Sequence, residues 1–431
     1  MQKLKAGALQ YTIFISVLIL LLVSSFISLA YLQQKTRMSA SFFQETIQHC
    51  TMGFEYLATH QTPYNQEIEI SFNDEIESKV TLTKKHWGLF DIVHSKVQIK
   101  KEVFERIAMV GGHQSEKTAL YLKENNKPLV LVGNTEIRGV SILPKQGARR
   151  GNIAGDSYYG SELIYGAIKQ STNQLPTLTT MPTIKNWIKG GFLNDELQPF
   201  DLYDGLQLKN SFNQPTLFFQ SDGAIDLRFV ELTGNITIQS NTKIMVASSS
   251  KLQDVILIAP EIEIENNTMG NFQAFASNQL LVGEGCNLEY PTVLCLIEST
   301  NNSFPLEEMS EEQSGATNNN QSTNNQIHIG SNTVVKGIVC YLSETTETNY
   351  KPQVVIDQNC IVAGEVYCDK NLELKGTVQG MVTTEAFIAL QSGSVYINHI
   401  YNGSIIASEL PLQYCGLQLQ TTQTKVVKWL Y

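Results

Sequence analysis

Charge is scarce in this chain. Asp, Glu, Lys and Arg make up 17% of its 431 residues, below the usual quarter or so of a soluble domain. Acids outnumber bases, giving a net charge of −10. That argues against a nucleic-acid partner, since phosphate binding needs a basic face. The cysteines are seven, and no two form a Cys-x-x-Cys pair, so zinc-ribbon and thioredoxin chemistry lack their ligands. Cys340, Cys360 and Cys368 stand inside apolar runs, where a thiol serves as a small hydrophobe; a disulfide is the alternative. Gly-rich phosphate loops and nucleophile elbows are missing. His49, His60, His86, His94, His113, His328 and His399 show no ligand-like spacing. No cofactor and no metal are expected.

A polysaccharide-cleaving site needs two carboxylates close together. Asp222 and Asp226, followed by Arg228, are the nearest acidic pair of suitable separation. Four residues along a strand span about 13 Å, too far without a bend. Glu261, Glu263 and Glu265 alternate with Ile and read as the outer side of a strand. The expectation is a protein without enzymatic activity; a carbohydrate-active enzyme is the outlying alternative.

What the chain does have begins near its N-terminus. Tyr11–Leu32, "YTIFISVLILLLVSSFISLAYL", carries no charge over 22 residues. Such a run can cross a hydrocarbon core of about 30 Å as a helix. It is longer than the core of a cleaved secretory signal. Beyond it, Phe43, Ile47, Cys50, Phe54 and Leu57 recur at three and four residues, as one face of a helix requires. Membrane contact is expected through residues 11–33. Basic residues flank the span on both sides, with a slight excess that favours a cytoplasmic N-terminus. The expected placement is single-pass in the inner (cytoplasmic) membrane, with the C-terminal body outside the cytoplasm.

Lys3, Lys5 and Gly7, followed by "ALQYTIFISVLILLL", resemble the start of a type IV pilin-like protein. The resemblance implies cleavage after Gly7 and an apolar helix that continues as a stalk. At the fifth position after that cut the family usually carries glutamate; this chain has Thr12.

From Glu67 to Leu122, short alternating runs such as "EIEISF" and "SKVQIKK" read as antiparallel strands. Trp87, Phe90 and Phe104 read as core aromatics. The remainder is repetitive. Val362–Gly364–Val366 and Val378–Gly380–Val382 are sixteen residues apart, and Val335–Gly337–Val339 and Ile164–Gly166–Ile168 share the form. Apolar pairs one residue apart, such as Ile262/Ile264 and Leu372/Leu374, recur between Asn, Ser, Gly and Asp. Short strands at such intervals, without helices between them, point to a solenoid. Glycine then lets the chain bend between two residues that both face the core.

These repeats resemble right-handed parallel β-helices, and more narrowly the bactofilin-like, polymer-forming ones. The resemblance implies a fold rather than an activity. The fold class expected is mainly β: a right-handed parallel β-helix with an N-terminal transmembrane helix and a small β-rich membrane-proximal domain.

The expected organisation is a tail (1–10), a transmembrane helix (11–33), an amphipathic helix (34–60) and a β-rich domain (61–128). A β-helix (129–406) follows, with insertions at 172–205 and 299–326, then a C-terminal cap (407–431) in which Val426, Trp429 and Tyr431 close the open end. The most distinctive polar stretch is "GARRGNIAGDSYYG". Within it Arg149, Arg150, Asp156, Tyr158 and Tyr159 are candidates for contact with a protein or glycan partner on the solenoid face. The function expected is that of a membrane-anchored structural, scaffold or adhesion protein of the cell envelope. A minor pilin-like component of an envelope filament or secretion apparatus is the alternative.

Overall fold

A computed structural model describes residues 6–60, 62–72, 78–188, 197–298, 325–343, 349–420 and 422–430. Lys3, Lys5, most of the 299–326 insertion and Tyr431 lie outside these. The chain divides into two compact units. One holds the chain up to Lys85 together with Val93–Ile107; the other holds His86–Ile92 and Ala108–Leu430. The protein is mainly β, with one long apolar helix.

In the first unit that helix, Ala6–Thr59, is continuous for 54 residues. The segments expected at 11–33 and 34–60 both lie within it and join without a break. Its N-terminal half presents Leu, Ile, Val and Phe side chains to the outside, with Leu20 69% exposed. By length and composition this helix can cross a membrane. Farther along, Thr46, His49, Cys50, Phe54 and Leu57 are buried, a helical stripe. The predicted stripe is displaced at one end, because Phe43 and Ile47 remain partly exposed. Gly53 shows why: a Cβ there would stand 2.9 Å from Ser95 Oγ. The helix sits closest where it has no side chain, and Ile47 falls off that line. Phe43 still sets its ring edge-on to Phe104, 5.9 Å between centroids. Beside the helix, Glu67–Ile70 pairs antiparallel with Ser78–Trp87, Ile70 opposite Val80.

The second unit is built mainly from parallel pairs, with a few antiparallel ones such as Met381–Gln391 with Ser394–Ile397. Each strand bonds to one a few tens of residues away, and the hydrogen-bonded set closes on itself. One column of directly opposed residues can be followed throughout. It runs Phe219, Ile238, Leu257, Ala274, Leu294, Val339, Val366 and Val382. Most of its members are fully buried in one apolar cluster. The next residue in the column is Leu120, then Ser141 and Ile168. The strands that come first in this unit thus pair with those that come last.

This order reinterprets three expectations. Residues 172–205 are not an excursion from one coil. They connect Ile168–Gln170, which pairs with Val140–Leu143, to Leu197–Pro199, which pairs with Thr216–Ser221. Within this segment a short helix spans Met181–Ile188. The stack also begins earlier than residue 129, since Thr118–Leu122 already belongs to it. Finally, the C-terminal strand Gln423–Trp429 does not close an end. It pairs antiparallel with Glu102–His113, Trp429 opposite Ala108.

The glycine pattern has a steric cause. Gly364 lies opposite Gly337 in the parallel ladder and has φ +158°. A Cβ on Gly364 would stand 1.8 Å from the carbonyl oxygen of Gly337. Backbone therefore packs directly on backbone from strand to strand, while Val362 and Val366 on either side enter the core.

Candidate functional site

The five residues singled out in the sequence separate into three groups. Arg149 and Arg150 lie on Ala148–Arg150, which pairs with Leu129–Val132. Both are exposed. Arg150 donates to Ser161 O at 3.1 Å and lies 6.0 Å from the Tyr158 ring. Tyr158 itself turns inward and joins the core cluster, its hydroxyl donating to Glu162 O. Burial pushes its phenol pKa up. Asp156 and Tyr159 are the pair that meets, Tyr159 hydroxyl to Asp156 Oδ1 at 3.4 Å.

The residue missed by sequence reasoning is Tyr401, whose hydroxyl donates to Asp156 Oδ2. That bond raises the Tyr401 pKa. Tyr401 is far away in sequence and arrives because His399–Tyr401 stacks in parallel on Leu129–Val132. No local motif announces such a meeting. His399, on the same strand, is held below its ordinary pKa mainly by burial, with Arg149 adding to the effect.

A second polar site, also formed across this junction, is a cavity of about 440 Å³. Its walls include Lys123, Asn125, Asp369, Lys370, Asn371 and Glu385, with Tyr350 and Ile388 beside them. Lys123 pairs with Glu385 at 2.9 Å. The amides of Asn125 and Asn398 exchange hydrogen bonds of 3.1 and 2.8 Å. Asp369 accepts from Ser343 N at 2.7 Å through Oδ2, and its Oδ1 is buried without a partner among the described residues. Burial pushes the Asp369 carboxyl up to about 7. Near neutrality it can hold or release a proton, and so either donate to or accept from a small polar ligand.

The acids examined for carbohydrate chemistry are engaged elsewhere. Asp226 pairs with Arg228 at 3.1 Å, and Arg228 also reaches Glu265 at 2.8 Å. Asp222 accepts from Asn241 at 2.7 Å. Glu263 pairs with Lys243 at 2.5 Å. Of the histidines, His86 lies 2.9 Å from the fully buried Asp91, and His328 lies 2.7 Å from Asp357. Among the described residues no three His, Cys, Asp or Glu side chains gather as metal ligands would.

No protein family and no curated protein sequence matches the chain. Among solved structures it is similar to the competence-associated pilin ComZ from Thermus thermophilus, at 10% identity and a TM-score of 0.24. That match covers 90% of this chain and 95% of the other. A score this low carries nothing over to this chain.

Proposed function

We propose that the chain is a non-enzymatic, single-pass scaffold or adhesion protein of the cell envelope. In this reading residues 11–33 lie in the inner membrane. The second unit is a right-handed parallel β-helix of the bactofilin-like kind, held outside the cytoplasm. The observation that carries the reading is the single helix Ala6–Thr59: apolar and exposed at one end, packed on a sheet at the other. Such an element needs two surroundings, lipid and a folded domain. The stack of short strands supplies a rigid surface, on which Asp156, Tyr159 and Tyr401 offer polar contacts to a protein or glycan.

The test is fractionation followed by protease treatment of intact cells and spheroplasts. The reading expects the chain in the membrane fraction and its body digested once the outer layers are opened. A body protected in both preparations would overturn the placement. Polysaccharide lyase and hydrolase assays address the absence of catalysis; turnover lost in Asp369→Asn would overturn it.

A pilin-like reading is supported by Lys3, Lys5 and Gly7 in the sequence before an apolar run, and by a helix that continues unbroken to Thr59. It expects a mature chain starting at Ala8 by mass spectrometry. An intact Met1 would remove it.

A further inference from the structure

We propose that Cys295 and Cys340 form a disulfide that staples two successive coils, one on each side of the 299–324 segment. The two residues are direct partners in the parallel pairing of Asn287–Ile297 with Val334–Leu342. Neighbouring strands lie about 4.8 Å apart, inside the roughly 4.4–6.8 Å between Cα atoms that a disulfide spans. Both side chains leave the same face of the sheet. Their neighbours Leu294, Leu296, Val339 and Tyr341 fill the interior cluster, so by alternation the two thiols share the opposite side. Both are nevertheless fully buried and within hydrogen-bonding reach of each other. The covering chain passes nearby: Tyr367, the next member of their column, donates its hydroxyl to Pro176 O at 3.1 Å.

The other cysteines have no such partner. Cys286, Cys360 and Cys368 belong to the interior cluster. Cys368 follows Tyr367, the residue opposite Cys340, and so points to the other side of the sheet. Cys50 hydrogen-bonds to Ser95 O, and Cys415 to Gln413 O. All seven are thiols in this structure. Burial raises the Cys340 pKa, which disfavours the thiolate that exchange requires. The bond therefore forms as the coils close, before the site is covered.

The step is a thiol–disulfide exchange with an oxidised dithiol carrier or a small disulfide such as oxidised glutathione. The two thiols lose two electrons and two protons. One S–S bond forms in the chain, one breaks in the oxidant, and the oxidant leaves as two thiols. An oxidising surrounding follows from the envelope placement proposed above, and in cells the staple rests on that reading.

The experiment separates the two ideas. Full-length chain is synthesised in detergent micelles with an oxidised/reduced glutathione buffer, then denatured, alkylated and digested without reduction. Free thiols are expected to fall from seven to five, with one linked peptide joining Cys295 to Cys340. Cys295→Ser is expected to leave Cys340 free and to remove the link; Cys286→Ser is expected to retain it. Seven thiols, or a different pairing, would overturn the staple. The same mapping is then applied to chain isolated from cells with its thiols trapped in acid. A link in micelles with seven thiols in cells would overturn the envelope placement and leave the staple standing.

Discussion

Two stretches of this chain are equally apolar and fare oppositely. The helix side chains from Leu9 to Leu32 are exposed, whereas the column from Ile238 through Leu257, Leu294, Val339 and Val366 is buried throughout. Water tolerates neither composition in bulk. The column removes itself from water by stacking on its own chain. From Leu9 to Leu32 the helix has no such partner among the described residues of its unit. The contrast teaches that hydropathy marks what must be hidden; the periodicity tells who does the hiding. Twenty-odd residues without a break call for lipid, and alternation with glycine calls for another coil.

The sharpest way to break the contrast is to charge the helix. Leu20→Arg with Val23→Arg should cost about 6 kcal/mol of insertion, at about 3 kcal/mol for each arginine near the bilayer centre. The double variant should leave the membrane fraction, read by fractionation. The melting of the body should not move.

On the stack side, the largest response should come from Glu365, a carboxyl among apolar neighbours. It is buried, accepts from Leu417 N at 2.9 Å, and burial raises its pKa to about 8 from an ordinary 4.5. The folded form holds the proton more tightly than the unfolded one. The stabilisation is therefore full below pH 4.5 and is lost as pH rises through about 8. The full swing is on the order of 5 kcal/mol. Glu365→Gln retains an acceptor for Leu417, so it should match the parent at acidic pH and melt higher at pH 9. The smaller decline that remains should end near pH 7, where Asp369 titrates in the fold. Identical pH profiles for the two proteins would sink this account.

Next comes Gly364→Val, expected to cost about 4 kcal/mol by clash and backbone strain together. Gly147→Ala is the control. It too has a positive φ, but nothing lies within 4 Å of its Cβ position, so it should cost about 1 kcal/mol. Denaturant melts of the two variants compare close packing with conformation alone.

How much of this was legible in advance divides along the same line. The apolar helix and the role of Gly364 could be read because both depend on local spacing. The order of the coils could not. Val382 sits on Leu120 as comfortably as Val366 sits on Val382, since the column takes mostly apolar residues of varied size, from Ala274 to Phe219. Nothing local distinguishes a next coil from a distant one. Everything built at that junction was hidden for the same reason. Tyr401 beside Asp156, and Lys123 beside Glu385, are meetings of the first coils with the last. Tyr158 was misread for another reason: on a short irregular run, alternation does not say which of two adjacent tyrosines faces inward.

One substitution applied in both stretches gives a finer test than charge does. Leu257→Ala empties a fully buried site in the column and should cost about 3 kcal/mol in body stability. Leu20→Ala removes the same atoms from an exposed helical position and should cost nothing measurable there, because lipid refills the space. Equal losses would mean that the helix is packed in the native protein, and that its exposure belongs to the isolated chain.

The smallest effect concerns the junction surface. Tyr401→Phe deletes the hydroxyl that reaches Asp156 and leaves the ring in place. A partly exposed bond of this kind contributes about 1 kcal/mol, and water can replace it. Body stability should therefore change by that much or less. Binding of a partner at this face should weaken more than stability does, because Asp156 and Tyr159 lose the group that orients them. Tyr158→Phe gives the comparison: its hydroxyl satisfies Glu162 O next to the core, so it should lower stability and leave binding unchanged. If both variants instead shift melting alike and neither alters partner capture, the junction serves only to join the first coils to the last.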